Sequence, residues 1–303
     1  MNARLTAYLQ LVRLPNVLTA AADSLAGWLL AGGSLAEMSG WLPIAGASMV
    51  LYASGMALND LFDIEVDRVE RPGRPLPSGR VTVRSAAWLG GIGLALGAGL
   101  ALVGGGSAAA AVAVVLALCI VGYDARLKHT PLGPVLMGAC RGLNLLMGLA
   151  HAARVGGPVA WCAAAAFGLF VMGITLISRN EARGGARRGL IAGLIVENIA
   201  LLGLASAALG RNRFPDPAPQ SIGHLIAGLV VIAVIAFIVN RAGARAVIEP
   251  LPRPIQLAVK TGILSLVWLD VGLVAAVRGI GPAAAVAILW LPAYSLGRWL
   301  YST

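Results

Sequence analysis

The stretch LNDLFDIEVDRVERPGRPLPSGR, residues 58–80, is a polar interruption in a strongly apolar chain. It holds nine charged residues, five of them among the thirteen acids of the protein, although only 12% of the 303 residues are charged and 58% are hydrophobic. Soluble domains of this length are closer to one quarter charged. The composition therefore predicts a polytopic membrane protein, with this stretch beginning at the end of a span.

Apolar segments long enough to cross a bilayer surround this stretch. A spanning helix needs about 20 apolar residues. Ten segments fit, at residues 14–32, 42–60, 84–104, 107–123, 132–152, 158–178, 188–209, 221–240, 255–277 and 281–300. We therefore expect an all-α transmembrane helical bundle that forms a single membrane domain over residues 1–303. It has nine to ten spans, nine if one of the last two segments is re-entrant.

The basic residues predict the orientation of the bundle. With the N-terminus inside, eighteen Lys and Arg residues fall on the cytoplasmic side and four outside, and Arg141 is left within a span. Insertion into membranes favours such an imbalance, so both ends of the chain are expected in the cytoplasm. The formal charge of +10 is then explained by the loops, and we predict no nucleic-acid partner.

The acidic residues of the opening stretch are regularly spaced. Asn59, Asp60, Asp63 and Asp67 form the pattern N-D-x-x-D-x-x-x-D at the end of the second predicted span. At about 100° per residue, the three aspartates share one face of a helix. Mg²⁺ suits such carboxylates, because it binds a few of them and leaves positions for water and phosphate oxygens. The alternative is a solvated helix end whose charges, with Arg74 and its neighbours, form ion pairs.

This motif resembles the first aspartate-rich motif of the UbiA superfamily of intramembrane prenyltransferases. LVRLPNVLTAAADSLAG, residues 11–27, is similar to the first helix of that family, and GYDARLKHTPLGPVLMGACRGLN, residues 122–144, is similar to its tyrosine and lysine segment. The resemblance implies an all-helical, typically nine-spanning protein that binds a polyprenyl diphosphate through Mg²⁺. Such a protein joins the prenyl chain to an aromatic or other acceptor.

The resemblance also implies a site. The Mg²⁺ ligands would be Asn59, Asp60, Asp63, Asp67 and Glu181. Tyr123 and Lys128 would act at the reaction centre, and the substrate pocket would include Asn16, Asp23, Arg74, Arg141, Asn144, Arg179 and Asn180. Physical arguments support some of these roles. The Lys128 ammonium can hold a diphosphate oxygen as a point charge. An arginine deep in a span, such as Arg141, faces the bundle interior, where Asp23 is a candidate partner.

The second acidic cluster of the family, roughly D-x-x-x-D, is where the chain departs from the pattern. The corresponding region reads ITLISRNEARGGARR, residues 174–188, and Glu181 is its one acid. Asn180 can supply an oxygen, and arginines can replace a second metal by clamping the diphosphate directly. Within this region, SRNEARGG is similar to the EboC-type branch of the superfamily.

These features predict a Mg²⁺-dependent transferase in the cell (inner) membrane, with its active site facing the cytoplasm. Its partners would be a prenyl diphosphate, a small acceptor and membrane lipid, with no obligate protein partner. A carrier that binds a lipid-like or aromatic precursor in the same cavity, without breaking bonds, is the alternative. A structural assembly factor is a third possibility, and release of pyrophosphate separates the enzyme from both.

Overall fold

The computed structural model describes residues 3–151, 154–155, 157–179, 187–215 and 221–301, and nearly all of them are helical. The helices are α1 Ala3–Leu11, α2 Leu14–Leu30, α3 Met38–Phe62, α4 Ile64–Glu70, α5 Val83–Gly122, α6 Gly133–Leu149, α7 Pro158–Ser178, α8 Arg187–Leu209, α9 Ile222–Ile248, α10 Pro252–Arg278, α11 Ile280–Ile288 and α12 Trp290–Tyr301. A π-helical turn at Tyr123–Leu127 follows α5, and a 3₁₀ turn at Arg211–Arg213 follows α8. Two residue pairs, β1 Ala150–His151 and β2 Arg154–Val155, form a minimal antiparallel ladder. The all-α prediction is confirmed.

The longest element, α5, is a hairpin of two helices. Gly106 has φ 75° and ψ −165°, a backbone conformation that glycine adopts without steric cost. In the first arm, Gly90 packs against Leu58 of α3, and in the second arm Ile120 packs against Gly55, one turn earlier on α3. The chain therefore runs along α3 and returns to the same end, as expected for the third and fourth predicted spans.

Each of the ten predicted segments is helical over most of its described residues. In the part of the chain that the structure describes, seven helices are long and apolar enough to cross a membrane, with α5 and its π turn taken as one. The helices α2 and α6, of 17 residues each, are slightly shorter than a full crossing requires. The choice between nine and ten spans stays a prediction.

The last predicted segment is divided at Leu289 into α11 and α12. Near its start, Arg278 donates a hydrogen bond of 3.4 Å to the carbonyl of Gly32, which follows α2. Near its end, Gly297 lies against Pro15, at the beginning of α2. The divided segment thus runs antiparallel to α2 over its whole length, and residues near the two ends of the chain lie side by side.

Close contact between α2 and α6 brings the later site residues together. A methyl group on Gly148 of α6 would overlap the carbonyl oxygen of Ser24 on α2, and one on Gly27 would overlap the carbonyl oxygen of Leu145. Small residues permit this approach in lipid, where backbones must touch for helices to gain packing energy. The contact places Asp23 of α2 directly against α6.

We expect Gly148→Ala to destabilise the protein, because the added methyl group forces α2 and α6 apart. Overpacking of this kind costs about 1–3 kcal/mol, which thermal unfolding in detergent would measure. Gly99→Ala is the matched control, since a methyl group on Gly99 meets open space. Equal unfolding temperatures for the two variants would contradict the close contact.

Candidate active site

The acidic motif lies on two helices, α3 and α4, that are separated by one residue, rather than on one continuous helix. Asp63 separates α3 from α4, with φ −92° and ψ 2°. Helical hydrogen bonds still cross this residue, from the Asp63 amide to the Asn59 carbonyl at 3.1 Å and from the Asp67 amide to the Asp63 carbonyl at 2.8 Å. The Asp63 side chain makes no local capping hydrogen bond and pairs with Lys128 instead. The predicted single helix is therefore corrected, while Asp60 and Asp67 still lie on a common side.

Asp60 and Asp67 are both buried and share an arginine. The Nη1 atom of Arg74 lies 2.6 Å from Oδ2 of Asp67 and 3.6 Å from Oδ1 of Asp60. A second guanidinium, from Arg13, lies 3.8 Å from the same Asp60 oxygen. Within the described residues that Oδ1 atom accepts no hydrogen bond, although it is inaccessible to solvent. A buried carboxylate oxygen with nearby charge and no donor is open to a further cation.

Arg13 is a site residue that sequence reasoning did not select. It joins α1 to α2 in a left-handed conformation with φ 52° and ψ 54°. Such a conformation costs about 1–3 kcal/mol for a residue with a side chain and often occurs at functional sites. Arg13 lies within the segment that resembles the family's first helix, and the structure shows that its guanidinium faces the motif.

Two side-chain contacts join the end of α3 to the π turn. In the first, Nδ2 of Asn59 donates a hydrogen bond of 2.8 Å to Oδ1 of Asp124. In the second, the Lys128 ammonium forms an ion pair with Asp63. The two residues on each side are four positions apart, so both contacts connect the same two helical faces. Lys128 therefore meets the motif, and Asp124 is a second site residue that was missed.

The end of α7 reaches the same region. Nη2 of Arg179 donates a hydrogen bond of 2.8 Å to the Lys128 carbonyl and another to the Thr130 carbonyl. Lys128 and Arg179, which follow the fourth and sixth predicted spans, therefore lie next to each other, and Lys128 makes the contact with the motif. Asn180 and Glu181 lie outside the described residues, so their assigned roles stay predictions.

Deeper in the bundle, Arg141 pairs with Asp23. Its Nε atom lies 2.5 Å from Oδ2 of Asp23, and its Nη2 atom donates to Oδ1 at 2.8 Å and to the Thr19 carbonyl at 2.9 Å. Asn144 adds hydrogen bonds to the Ala20 carbonyl at 2.8 Å and to Asp23 at 3.0 Å. The predicted pair is present, and its guanidinium charge is offset by a carboxylate.

Other buried polar groups connect helices away from the motif. Asn198 on α8 and Asn240 on α9 exchange two amide hydrogen bonds, of 2.8 and 3.0 Å. Glu197 is buried against Gly173 of α7. Asp270 of α10 is fully buried beside Asp23. Among these, the amide pair has the geometry of a structural link between helices.

A cavity of about 310 Å³ lies between the motif and the Arg141 network. Its polar lining comes from Arg13, Asn16, Thr19, Ser48, Tyr52, Tyr123, Asp124, Arg141, Asn144, Thr175 and Ser178. The remaining walls are largely apolar side chains of α3, α5, α7 and α10. From Arg13 to Ala20 the lining spans two turns of α2, or about 10 Å. The cavity thus has apolar sides and a charged end, which is lined by Arg13 and Asp124, the contacts of Asp60 and Asn59.

The residues at the charged end fit Mg²⁺. No three His, Cys, Asp or Glu side chains of the described ranges are gathered around one point, because each motif carboxylate is directed at a cation. The donors are nevertheless hard oxygens, and Asp60 and Asp67 already approach one common atom of Arg74. Mg²⁺ typically takes one or two carboxylates and completes its shell with water and substrate phosphates. The Asp60 oxygen without a donor is the first candidate ligand.

The buried Arg141–Asp23 pair should be essential for stability. We expect Asp23→Leu to cost about 3–5 kcal/mol, because it leaves a buried guanidinium without its counter-charge. Glu65→Leu is the control. It removes the acid of the exposed Arg68–Glu65 pair, of 2.7 Å, and should cost less than about 1 kcal/mol. Thermal unfolding of both variants measures the difference, and similar losses would show that the Arg141 pair is not a structural requirement.

The sequence is similar to proteins of a known family. The profile of the UbiA prenyltransferase family matches residues 21–190, more than half of the chain. A digeranylgeranylglyceryl phosphate synthase of Methanopyrus kandleri is 37% identical over 185 residues, which cover 61% of this chain and 67% of that protein. The enzyme of the same name from Methanocaldococcus jannaschii is 34% identical over 145 residues, or 48% and 51% of the two chains. The alignments thus span one half to two thirds of these relatives.

Solved structures share the fold. A digeranylgeranylglyceryl phosphate synthase superposes with a TM-score of 0.65 at 23% identity, covering 91% of this chain and 99% of that one. A UbiA homologue from Archaeoglobus fulgidus, bound to DMAPP and Mg²⁺, superposes with a TM-score of 0.61 at 16% identity, covering 84% and 97%. Together with the profile match, these likenesses show that the chain is a multi-pass membrane protein of the UbiA prenyltransferase family.

Proposed function

We propose that the protein transfers a prenyl group from a prenyl diphosphate to a small acceptor, with Mg²⁺ as cofactor and release of diphosphate. One observation supports this proposal most strongly. Cations from three other segments contact the acidic motif next to the cavity. Arg13 and Arg74 approach Asp60, and Lys128 approaches Asp63. The proposal includes one membrane domain, in the cell membrane, with the charged end facing the cytoplasm. The distribution of Lys and Arg supports that side.

Binding of the substrate would exchange ion-pair partners. Asp63 and Asp67 are neutralised by Lys128 and Arg74. If these carboxylates held Mg²⁺, Lys128 and Arg74 would be available to bind the phosphate oxygens. Uncompensated buried charge is costly, so the metal ion and the diphosphate should enter together. Arg179 lies beside the Lys128 backbone and can contribute a further cation.

The reaction requires that charge on the departing diphosphate be stabilised. Mg²⁺ supplies part of this stabilisation when it is bound, and the fixed cations Arg13, Arg74 and Lys128 supply the rest. The allylic C–O bond breaks and its electron pair leaves with the diphosphate. An acceptor oxygen or carbon then bonds to the allylic carbon, and its proton leaves with the diphosphate. Tyr123 lines the cavity, and its ring face can stabilise the allylic cation by about 0.5–2 kcal/mol.

The walls of the cavity suit a prenyl chain. Below the charged end, residues such as Leu51, Ile120 and Ile174 present hydrocarbon and exclude water from the reactive cation. At the other end, the neutralised Arg141–Asp23 pair fixes the positions of α2 and α6. The role of Asn16, Asn144 and the Arg141 pair in holding substrate is part of this proposal and rests on their place in or beside the lining.

The names of the relatives guide the choice of acceptor. Several relatives are digeranylgeranylglyceryl phosphate synthases, so a glyceryl phosphate lipid is the first acceptor to test beside aromatic ones. The EboC-like assignment depends on residues 178–185, which lie mostly outside the described ranges, and it stays a prediction. No feature of the described site favours the carrier alternative, which is retained as an outcome of the experiment.

Purified protein should release pyrophosphate when given Mg²⁺, prenyl diphosphates and a panel of lipid and aromatic acceptors. Chelation of the metal should abolish release, and Asp63→Ala should lower it by about 100-fold or more, because charge stabilisation in the transition state is lost. Glu65→Ala is the control, an exposed acid two positions away in the sequence. Tight binding of prenyl diphosphate without product from any acceptor would favour a carrier.

Mg²⁺ and pyrophosphate should bind cooperatively. Since each motif carboxylate has a cationic partner, we expect Mg²⁺ alone to bind at least about 10-fold more weakly than it does with saturating pyrophosphate. Isothermal titration calorimetry with and without pyrophosphate measures both affinities. An unchanged Mg²⁺ affinity would show that the ion pairs do not have to exchange partners.

A further inference from the structure

The side-chain amide of Asn59 has two ends that differ chemically, and only one of them can bind a metal ion. Its Nδ2 group donates hydrogen bonds, whereas its Oδ1 atom can be a ligand for Mg²⁺. Rotating the amide by half a turn exchanges the two ends with little change in shape. A metal site that uses Asn59 therefore needs a neighbour that distinguishes them.

Asp124 is that neighbour. An ionised carboxylate accepts hydrogen bonds and cannot donate them, so it selects the orientation in which Nδ2 faces it, at 2.8 Å. The Asp124 side chain is buried, with only 4% of the residue exposed, so few water molecules compete for this contact. We propose that Asp124 is a positioning residue, which holds the Asn59 amide so that Oδ1 remains available to Mg²⁺. This inference rests on the proposed metal-dependent function.

The π turn explains how Asp124 reaches this position. The amide of Lys128 donates to the Tyr123 carbonyl at 3.0 Å, five residues back, so this turn is wider than an α-helical turn. Residues 124 and 128 face residues 59 and 63 in register, and the Lys128–Asp63 ion pair fixes the spacing of the two chains. Wide turns of this kind frequently occur at functional sites.

The effect on metal binding should resemble that of other residues that orient a ligand from outside the coordination shell. Loss of such a partner typically lowers metal affinity by about 10- to 100-fold. Asp124→Ala removes the acceptor and should show a loss in this range. Asp124→Asn keeps the size but can donate as well as accept, so Asn59 can bind in either orientation and the affinity should fall by a smaller factor.

A pair exchange provides the decisive test. Asn59→Asp alone sets two carboxylates against each other and should weaken metal binding. In the double variant, Asn59→Asp with Asp124→Asn, the new amide donates to the new carboxylate and leaves a carboxylate oxygen for the metal. The net charge then equals that of the wild type. We expect its affinity to return to within a few-fold of the wild-type value.

The measurement is Mn²⁺ binding, followed by electron paramagnetic resonance in the presence of pyrophosphate, with thermal unfolding of every variant. Asn240→Leu is the control for loss of a buried amide hydrogen bond, since it breaks the Asn198–Asn240 pair. It should lower the unfolding temperature and leave Mn²⁺ affinity unchanged. If Asp124→Ala does not fold, Asp124→Asn and the exchange variant still test the role.

The outcomes separate this inference from the proposed function. If wild-type protein fails to bind Mn²⁺ with pyrophosphate, the proposed function fails. If it binds and the folded Asp124 variants bind equally well, the positioning role is overturned while the proposed function stands. A folded exchange variant that binds as weakly as Asn59→Asp would also overturn it. Recovery in that variant, with losses in the single variants, supports it.

Discussion

The structure of the charged end depends on the neutralisation of buried carboxylates by cations from distant parts of the chain. Asp60 and Asp67 are almost completely buried, and isolated carboxylates in such positions carry a large desolvation cost. Arg74, Arg13 and Lys128 offset that cost, and in doing so they fix the loop after α4, the start of α2 and the π turn around one point. The same electrostatic need would thus assemble the candidate site and leave cations in place for an anionic substrate.

Hydropathy and spacing predicted the parts that depend on local rules. The ten apolar segments are helical over most of their described residues, and the N-D-x-x-D-x-x-x-D spacing puts Asp60 and Asp67 on a common side. The depth of Arg141 predicted a buried partner, since lipid cannot solvate a guanidinium. Asp23 is that partner, because small residues on α2 and α6 let the two helices touch.

Arg13 and Asp124 were not predicted as site residues, because they reach the site through local backbone conformations that hydropathy does not reveal. The left-handed conformation at Arg13 redirects its side chain toward Asp60. A wide π turn brings Asp124 into register with Asn59, across 65 residues of sequence. At the break between α3 and α4, Asp63 pairs with Lys128, a partner 65 residues away that tertiary packing supplies. The sequence therefore indicates which residues form the site better than it indicates which of them contact each other.

The charge of the site can be compared with the sequence after α7, where the chain has one acid, Glu181, in place of the family's second acidic cluster. The described groups at the charged end are four acids, Asp60, Asp63, Asp67 and Asp124, and four cations, Arg13, Arg74, Lys128 and Arg179. With all eight groups ionised, such a set has no net charge. A fully ionised prenyl diphosphate with one Mg²⁺ would add roughly one unit of negative charge. The sequence after α7 has Glu181 as its one acid among several arginines, so that segment brings positive rather than negative charge to the chain.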